Sequence, residues 1–264
     1  MRITCLMENT TAHEGCLTEH GLSLLIEANG RTVLFDAGAS GGILANAERL
    51  GIDLSQVDAC ALSHGHYDHA DGFPAFLGLN ATAPLYAHKG YDYLHLNARG
   101  RNIGVTGALP ASGRATVIDG SRYDLGDGFE LVSYNDREPV VEIDTAGMLE
   151  DDGSGRKPEA FTHEHYLIVR EGDTHLIVTG CTHRGVVNVM DWSKEEGITH
   201  LIGGFHLMKV DPSDERIERT AAALAEYPTH YWTCHCTGLP QYARLKELMG
   251  DQLDYVASGD IIEL

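Results

Sequence analysis

Residues 64–69 place four metal-ligand side chains in six consecutive positions: His64, His66, Asp68 and His69. Neutral imidazole and carboxylate are the groups through which proteins bind Zn²⁺, Mn²⁺ and Fe²⁺. The alternate spacing of His64 and His66 lets both rings point the same way from an extended loop, whereas Asp68 and His69 can turn to a second centre. The segment follows a short apolar strand predicted over residues 58–63, so the fold must end a buried strand at a metal site.

The rest of the chain alternates predicted strands with predicted helices. Asn29-Gly30 between two apolar runs is a strong signal for a type I′ hairpin. Strands are predicted over residues 2–7, 22–28, 32–36, 58–63, 84–87, 166–170, 175–179, 200–203 and 230–233. Helices are predicted over residues 43–50, 70–77, 186–191, 214–226 (with Ser213 as the N-cap) and 240–249 (with Pro240 at the first position).

Four of the predicted strands, which end at Ser63, Thr179, Gly203 and Thr233, are each followed within a few residues by histidine. Loops at strand ends are where sheet-based proteins build their sites. This position makes His183 and His235 candidate metal ligands and His206 a candidate substrate contact or proton donor. Cys181 is a candidate ligand or a residue that supports one. His163, with Glu164 beside it, is the rival of His183 for a ligand position or a group that orients a neighbour.

Residues 88–160 carry scattered glycines and no regular apolar period. We expect an insertion with some strand content that covers a site and influences substrate choice. Its Arg99, Arg101 and Arg137 are candidate contacts for an anionic substrate.

Length and charge exclude several classes of protein. The chain has 264 residues and a formal net charge of −20, which fits one large domain and argues against nucleic-acid or anionic-membrane binding. No apolar run is long enough to span a bilayer, and the N-terminal residues do not resemble a signal peptide. The 6 cysteines are too few for a disulfide framework in a chain of this length, so we expect reduced thiols and a cytoplasmic location. The oligomeric state is not determined by the sequence.

Several motifs together resemble the metallo-β-lactamase superfamily, and His64-Gly65-His66-Tyr67-Asp68-His69 looks like its signature. The resemblance extends to a narrower branch, labelled dihydropteroate-synthase-like or ribofuranosylaminobenzene phosphate synthase-related. The remaining motifs that carry it are Glu8-Asn9-Thr10, Glu19-His20-Gly21, Leu34-Phe35-Asp36-Ala37-Gly38, Gly180-Cys181-Thr182-His183, Gly203-Gly204-Phe205-His206 and His235-Cys236-Thr237-Gly238.

The resemblance implies an α/β fold, a four-layered αββα sandwich, with the site at one edge of its two sheets. It also implies two divalent metal ions, Zn²⁺ first, with Mn²⁺ or Fe²⁺ as alternatives. Carried over by position, one ion is held by His64, His66 and His183, and the other by Asp68, His69 and His235. Many members of the superfamily have a bridging Asp where this chain has Cys181, which leaves the bridging group and the preferred metal open.

The leading functional hypothesis is a dinuclear hydrolase that uses a metal-bound hydroxide on a small ester, phosphoester or lactone. Asp68 would then tune the metal-bound water, and His206 would protonate the leaving group or steady the oxyanion. The alternatives are a mononuclear iron dioxygenase on the same fold, a pterin or ribose-phosphate synthase-type enzyme, and a metal-stabilised binding module without turnover.

Overall fold

Strands and helices alternate along the chain in the computed structural model, which describes residues 1–264. The strands are β1 (Arg2–Met7), β2 (Ser23–Ala28), β3 (Arg31–Phe35), β4 (Ala59–Leu62), β5 (Leu85–His88), β6 (Leu94–Leu96), β7 (Ala115–Ile118), β8 (Arg122–Gly126), β9 (Phe129–Val132), β10 (Leu149–Asp151), β11 (Lys157–Pro158), β12 (Tyr166–Glu171), β13 (Thr174–Val178), β14 (His200–Gly203), β15 (His230–Thr233), β16 (Leu253–Tyr255) and β17 (Ile261–Glu263). The helices are α1 (Gly42–Arg49), α2 (Tyr67–Ala70), α3 (Phe73–Leu79), α4 (Ala108–Ala111), α5 (Val186–Trp192), α6 (Glu215–Ala225) and α7 (Leu239–Met249).

Most strands belong to two seven-stranded sheets, and a three-stranded sheet of order β11-β10-β6 stands apart. The first large sheet has the order β17-β1-β2-β3-β4-β5-β7, and the second has the order β16-β15-β14-β13-β12-β9-β8. The predicted hairpin is confirmed: Asn29 and Gly30 join β2 to β3 with φ values of 52° and 75°. Both residues therefore adopt the left-handed backbone that a type I′ turn requires.

Three separate apolar clusters define the layers. The first cluster lies between the two large sheets, where Leu24 of β2 and Leu176 of β13 are both buried. The second packs the outer face of the first sheet against α1 and α3, and the third packs the outer face of the second sheet against α5, α6 and α7. Three apolar interfaces require four layers, so the expected αββα sandwich is confirmed.

Parallel pairing brings the predicted site loops to one edge of each sheet. In the first sheet β3, β4 and β5 are parallel, and in the second sheet β13, β14, β15 and β16 are parallel. The loops after β4, β13, β14 and β15 carry the histidines singled out in the sequence. Carboxyl ends of parallel strands meet at one edge, which places these loops together.

Three helix predictions need correction. The helix predicted over residues 70–77 is divided into α2 and α3, because Gly72 N donates to Gly38 O instead of Asp68 O, and Asp68 O accepts from Leu22 N; Gly72 also lies so close to the carbonyl oxygens of Ala37 and Ser40 that only a glycine fits. The N-cap of α6 is Asp214, whose side chain accepts a hydrogen bond from Arg216 N, and not Ser213. Helix α7 begins one residue earlier than predicted, at Leu239. None of the helices is long and apolar enough to cross a bilayer.

The segment 88–160 differs from the expected insertion. Its β7 extends the first large sheet, and its β8 and β9 form the edge of the second. Only the small sheet of β6, β10 and β11, with the loops around it, stands outside the sandwich. The strands were hard to predict because β7 and β8 are largely exposed edge strands without an apolar pattern.

Candidate metal centre

A cavity of about 330 Å³ opens at the edge where the parallel strands end. Among the residues singled out in the sequence, those that line it are His66, Asp68, Arg101, Cys181, His183 and His206. Sequence reasoning gave no site role to the other polar lining residues, among them His20, which lies in one of the motifs, and Asn97, Lys209 and Arg216. Arg99 and Arg137 are exposed and do not line the cavity, so the substrate contact expected of them is not supported.

One group of donors at the base of the cavity consists of His64, His66 and His183, whose ligand atoms lie within 4.8 Å of one another. All three side chains are buried, and the rings of His64 and His66 lie 4.6 Å apart between centroids. The Nε2 atoms of His64 and His66 and both ring nitrogens of His183 have no hydrogen-bond partner. Buried ring nitrogens without partners are costly unless an ion or water binds them, so this group fits a cation.

A second group consists of Asp68, His69, Cys181 and His235, again with ligand atoms within 4.8 Å of one another. His69 Nε2 lies 3.1 Å from Cys181 Sγ, and His235 Nε2 lies 3.3 Å from Asp68 Oδ2. Two imidazoles, a carboxylate and a thiol form a donor set that zinc accepts. The structure therefore brings Cys181 to the ligand cluster rather than to a remote position.

Asp36 links the two donor groups through hydrogen bonds. Its Oδ1 accepts a hydrogen bond from Ser63 N at 2.7 Å, and its Oδ2 accepts from Ser63 Oγ at 2.7 Å and from His69 Nδ1 at 2.6 Å. Ser63 Oγ in turn lies 2.8 Å from His64 Nδ1. A carboxylate that fixes the Nδ1 side of a histidine leaves Nε2 free for a metal, so Asp36 orients one ring in each group.

His235 is oriented by the N-terminal segment. Its Nδ1 lies 2.9 Å from Asn9 Oδ1, and its backbone N–H donates to Glu8 Oε1 at 2.6 Å. Glu8 is fully buried and also accepts hydrogen bonds from Tyr255 and from Thr10. Glu8-Asn9 belongs to a motif noted in the sequence, but its role depends on contacts with residues more than 220 positions away.

Glu164 holds the loop that carries His183 in place through hydrogen bonds. Its carboxylate accepts hydrogen bonds from His183 N at 2.8 Å, Arg184 N at 3.1 Å and the Tyr166 hydroxyl at 2.9 Å. With both oxygens engaged in these bonds, Glu164 supports the backbone of the His183 loop rather than facing the donor cluster.

His163 lies in a third donor group, with His66, His95 and Glu159. Its Nδ1 accepts a hydrogen bond from Gly65 N at 2.9 Å, which requires the ring proton on Nε2, and Nε2 lies 3.2 Å from Glu159 Oε1. The other Glu159 oxygen lies 2.8 Å from His95 Nδ1. Both nitrogens of His163 are thus committed within the protein, and the ring positions the loop that carries His64 and His66.

Burial favours the neutral form of the His64, His183 and His206 imidazoles. It lowers the pKa of His64 and of His183 well below the ordinary value, and neighbouring rings add to the effect. Burial and then the Lys209 charge lower the pKa of His206 to about 4. Neutral imidazole is the form that binds metals, and it is also the form in which His206 can donate a hydrogen bond without carrying charge.

Asp68 and His69 differ from these histidines in that their pKa shifts favour the charged form, because each faces groups of opposite charge. Burial opposes ionisation of Asp68, yet His69 and His235 hold its pKa well below the usual range. Burial also opposes the charged form of His69, but Asp36 and Asp68 raise its pKa to about 9. A cation that binds His69 must therefore displace a proton.

Several residues of the centre have left-handed backbone conformations that non-glycine residues rarely adopt. Asp36, Thr182, His206 and His235 have φ values of 60°, 51°, 52° and 50°. Each such residue costs of order 1–3 kcal/mol, and such residues persist where the surrounding contacts enforce them. Their concentration here indicates that the fold is shaped around this site.

Comparison with known proteins agrees with this geometry. Residues 18–229 match the family model of the metallo-beta-lactamase superfamily. An uncharacterized protein of Methanocaldococcus jannaschii is 29% identical over 252 residues, covering 93% of this chain and 94% of its own. The 7,8-dihydropterin-6-methyl-4-(beta-D-ribofuranosyl)-aminobenzene-5'-phosphate synthase of the same organism is 29% identical over 268 residues, covering 93% of this chain and 90% of its own.

A solved structure, described as a metal-dependent hydrolase of the beta-lactamase superfamily, aligns with a TM-score of 0.84 and 27% identity. The alignment covers 100% of this chain and 99% of that one. The chain belongs to the metallo-beta-lactamase superfamily, as its motifs predicted. Members of this superfamily bind divalent metals, and the two donor groups described above are the candidate sites in this chain.

Proposed function

We propose that this protein is a metal-dependent hydrolase that binds two divalent cations and cleaves a small ester, phosphoester or lactone. The observation that carries the proposal is the set of buried ring nitrogens without partners on His64, His66, His183 and His235. His66 and His183 line a cavity large enough for a small ligand, and the centroids of the His64 and His235 rings lie 4.8 Å and 5.0 Å from those of the His183 and His69 rings. Buried ring nitrogens that no protein group satisfies fit the role of cation ligands.

The assignment of ligands follows the two donor groups. His64, His66 and His183 would hold one cation, and Asp68, His69, Cys181 and His235 would hold the other. Burial raises the pKa of the Cys181 thiol, so its thiolate would form only next to a cation. A thiolate ligand favours zinc over manganese, which supports zinc as the metal. His163 is not proposed as a ligand, because both of its nitrogens are engaged elsewhere.

When bound, two divalent cations acidify a coordinated water and polarise the oxygen of the bond under attack. Asp68 stays ionised and contributes negative charge to the site, which opposes full acidification of the water. His206, neutral above about pH 4, lies with its ring 4.2 Å from that of His183. It is therefore placed to donate a hydrogen bond to the developing oxyanion rather than to deliver a proton from an imidazolium.

Metal analysis combined with a substrate panel tests the proposal. Purified protein should contain about two metal ions per chain, and it should hydrolyse at least one of a set of phosphodiester, phosphomonoester, lactone and thioester substrates with Zn²⁺ or Mn²⁺. His66→Ala and His69→Ala should each lose metal and activity. His13→Ala serves as the matched control, because His13 is exposed and belongs to neither donor group.

Two other outcomes would redirect the assignment. One iron per chain, together with oxygen consumption, would favour a mononuclear iron dioxygenase and contradict the hydrolase. Condensation of pterin and ribose-phosphate substrates without net hydrolysis would favour an activity like that in the name of the archaeal synthase, which is 29% identical to this chain.

We also propose a reducing cytoplasmic location, since all the cysteines are free thiols.

A further inference from the structure

Two cationic side chains stand on the walls of the cavity without a counter-ion. Arg101 follows β6, Lys209 follows β14, and both line the cavity. Neither forms an ion pair or a side-chain hydrogen bond. In contrast, Arg216, the third cation of the lining, is held by Asp214 at 2.9 Å and faces Asp144 at 3.6 Å. Arg101 and Lys209 are therefore the two cations of this cavity that remain available to a ligand.

Both free cations lie close to the metal-binding end of the cavity. Lys209 lies three residues after His206, whose ring centroid is 4.2 Å from that of His183. Arg101 lies two residues before Ile103, whose carbonyl oxygen accepts a hydrogen bond at 2.9 Å from the N–H of Tyr67, the residue before Asp68. A ligand that reaches the donor groups therefore comes within the field of Arg101 and Lys209.

The charge balance of the chain makes this placement informative. The protein has 19 Lys and Arg against 39 Asp and Glu, so its overall field repels anions. Local cations are then required to draw an anion into a cleft against that field. An arginine guanidinium can bind a carboxylate or phosphate through two hydrogen bonds, and a lysine adds a flexible point charge.

Apolar side chains also line the cavity near these cations. Ile103 lies two residues after Arg101, and Met208 and Val210 flank Lys209 in the sequence; all three line the cavity, as does Met148. The volume of about 330 Å³ lies at the lower end of the range for small-molecule sites. The lining thus combines metal-ligand donors, an apolar surface and two unpaired cations.

We propose that the substrate is a small organic anion whose carboxylate or phosphate group, remote from the bond that is cleaved, binds between Arg101 and Lys209. Its apolar portion packs against Ile103 and Met208 while the reacting group lies at the metal end. The proposal rests on the hydrolase function proposed above and narrows its substrates to those with a charge at the far end. Neutral lactones and simple esters would bind weakly.

The first test compares matched substrates on the metal-loaded protein. For the bond type that the protein cleaves, three compounds are made with the same reacting group and a remote methyl, carboxylate or phosphonate. We expect kcat/KM for an anionic compound to exceed that of the neutral one by at least about tenfold. The kcat/KM values of the carboxylate and phosphonate compounds show which anionic group binds better. Equal kcat/KM values for all three compounds would overturn the proposal while leaving the hydrolase intact.

The second test removes the cations. Arg101→Gln and Lys209→Gln should each raise KM for the anionic substrates about tenfold with little change in kcat, and should leave the neutral compound unaffected. Arg156→Gln is the matched control, because Arg156 lies in the same segment of the chain and is exposed away from the cavity. A fall in kcat for the neutral compound would mean that these residues support the centre rather than the anion, and would contradict the proposal.

A binding measurement separates this proposal from the hydrolase. Phenylacetate and phenylphosphonate are titrated calorimetrically into the metal-loaded wild type and the Arg101→Gln, Lys209→Gln double variant. We expect the affinity to fall at least about tenfold in the double variant. Unchanged affinity would place the anion on the metals and overturn the proposal. Loss of affinity in a protein that cleaves none of the substrates would support the anion site and contradict the hydrolase.

Discussion

The two halves of the chain build the metal centre in different ways. The first half supplies His64, His66, Asp68 and His69 from one loop after β4. The second half supplies its donors from two separate loops, after β13 and β15, which lie on either side of the His206 loop after β14 and are brought together by parallel pairing. The donors of the first half thus lie together because they are close in the sequence, and those of the second half because of the register of the parallel strands. Both halves contribute to each donor group.

The supports of the loops also differ. The first loop is fixed by side chains and close packing: Asp36 orients His69, and Gly65 lies so near the Tyr91 carbonyl that a Cβ would collide with it. The loops that carry His183 and His235 are fixed by carboxylates that accept hydrogen bonds from their backbone N–H groups, Glu164 and Glu8 respectively. Both halves therefore use buried carboxylates, but Asp36 orients ligand rings in the first half, whereas Glu164 and Glu8 hold the backbone of the ligand loops in the second.

Removing a ligand from either half should have the largest effect. His66→Ala in the first half and His183→Ala in the second should each lower metal content and reduce kcat/KM by about 10³-fold or more, because the donor groups share ligands from both halves. His163→Ala should retain its metals, since its ring orients the loop without facing the cation. Full metal occupancy in His183→Ala, or loss of metal in His163→Ala, would reverse the ligand assignment.

Asp68→Asn and His206→Ala should separate binding of metal from stabilisation of the transition state. Asp68→Asn should weaken the cation near Cys181 and remove most of kcat. His206→Ala should keep both metals and lose about 100-fold in kcat, as expected when an oxyanion donor is removed. Metal content and rate are measured on both variants in parallel. Loss of metal in His206→Ala would make His206 a ligand, and full activity would remove its proposed role.

Glu8→Gln and Glu164→Gln test whether the buried carboxylates act on separate metals. A glutamine amide would place an N–H donor against the N–H of Thr10 in one variant and of Arg184 in the other, which disturbs each loop. Glu8→Gln should weaken mainly the cation next to His235, and Glu164→Gln mainly the cation next to His183, each by about 10–100-fold.

Cobalt substitution distinguishes the two cations, because only the ion next to Cys181 can show thiolate charge-transfer absorption. That band should diminish in Glu8→Gln and persist in Glu164→Gln. Glu14→Gln is the control, since Glu14 is exposed. Equal weakening of both metals in both variants would mean that the carboxylates stabilise the fold as a whole.

The smallest expected effect is on how the free energy of unfolding depends on pH, and it comes from His165, where the two halves meet. The backbone N–H of His165 donates to the Ser63 carbonyl oxygen at 2.8 Å. The His165 side chain is fully buried, and burial lowers its pKa to about 3. The folded state therefore binds fewer protons than the unfolded state below about pH 6.5, so the free energy of unfolding falls as the pH drops from there toward 3.

Urea unfolding of the metal-free protein at several pH values between about 8 and 4 measures this slope. His165→Phe should reduce the slope by up to about 1.4 kcal/mol per pH unit, the contribution of one proton. Leu79→Ala should leave it unchanged, because Leu79 is exposed and has no ionisable side chain. An unchanged slope in His165→Phe would contradict the prediction.

Prediction from the sequence succeeded where the signal was local. The hairpin at Asn29-Gly30, the strands that end at the site loops and the superfamily motif all lie within a few residues. Prediction failed for β7 and β8, which are edge strands without an apolar pattern, and for α2 and α3, which Gly72 separates because of a close approach by residues distant in the chain. Those features depend on neighbours that periodicity does not reveal.

By itself the sequence determined the residue types that can bind metal, through the short motif at residues 64–69, and the superfamily, through the motifs that resemble it; the αββα layers were what that resemblance implied. Only the tertiary structure decided which donors meet. It brought Cys181 to His69, committed both nitrogens of His163 to hydrogen bonds, and placed Lys209 and Arg101 on one cavity while leaving Arg99 outside. The physical reason is that a donor set depends on distances of a few ångströms between loops, and those distances are fixed by strand register and buried hydrogen bonds rather than by spacing along the chain.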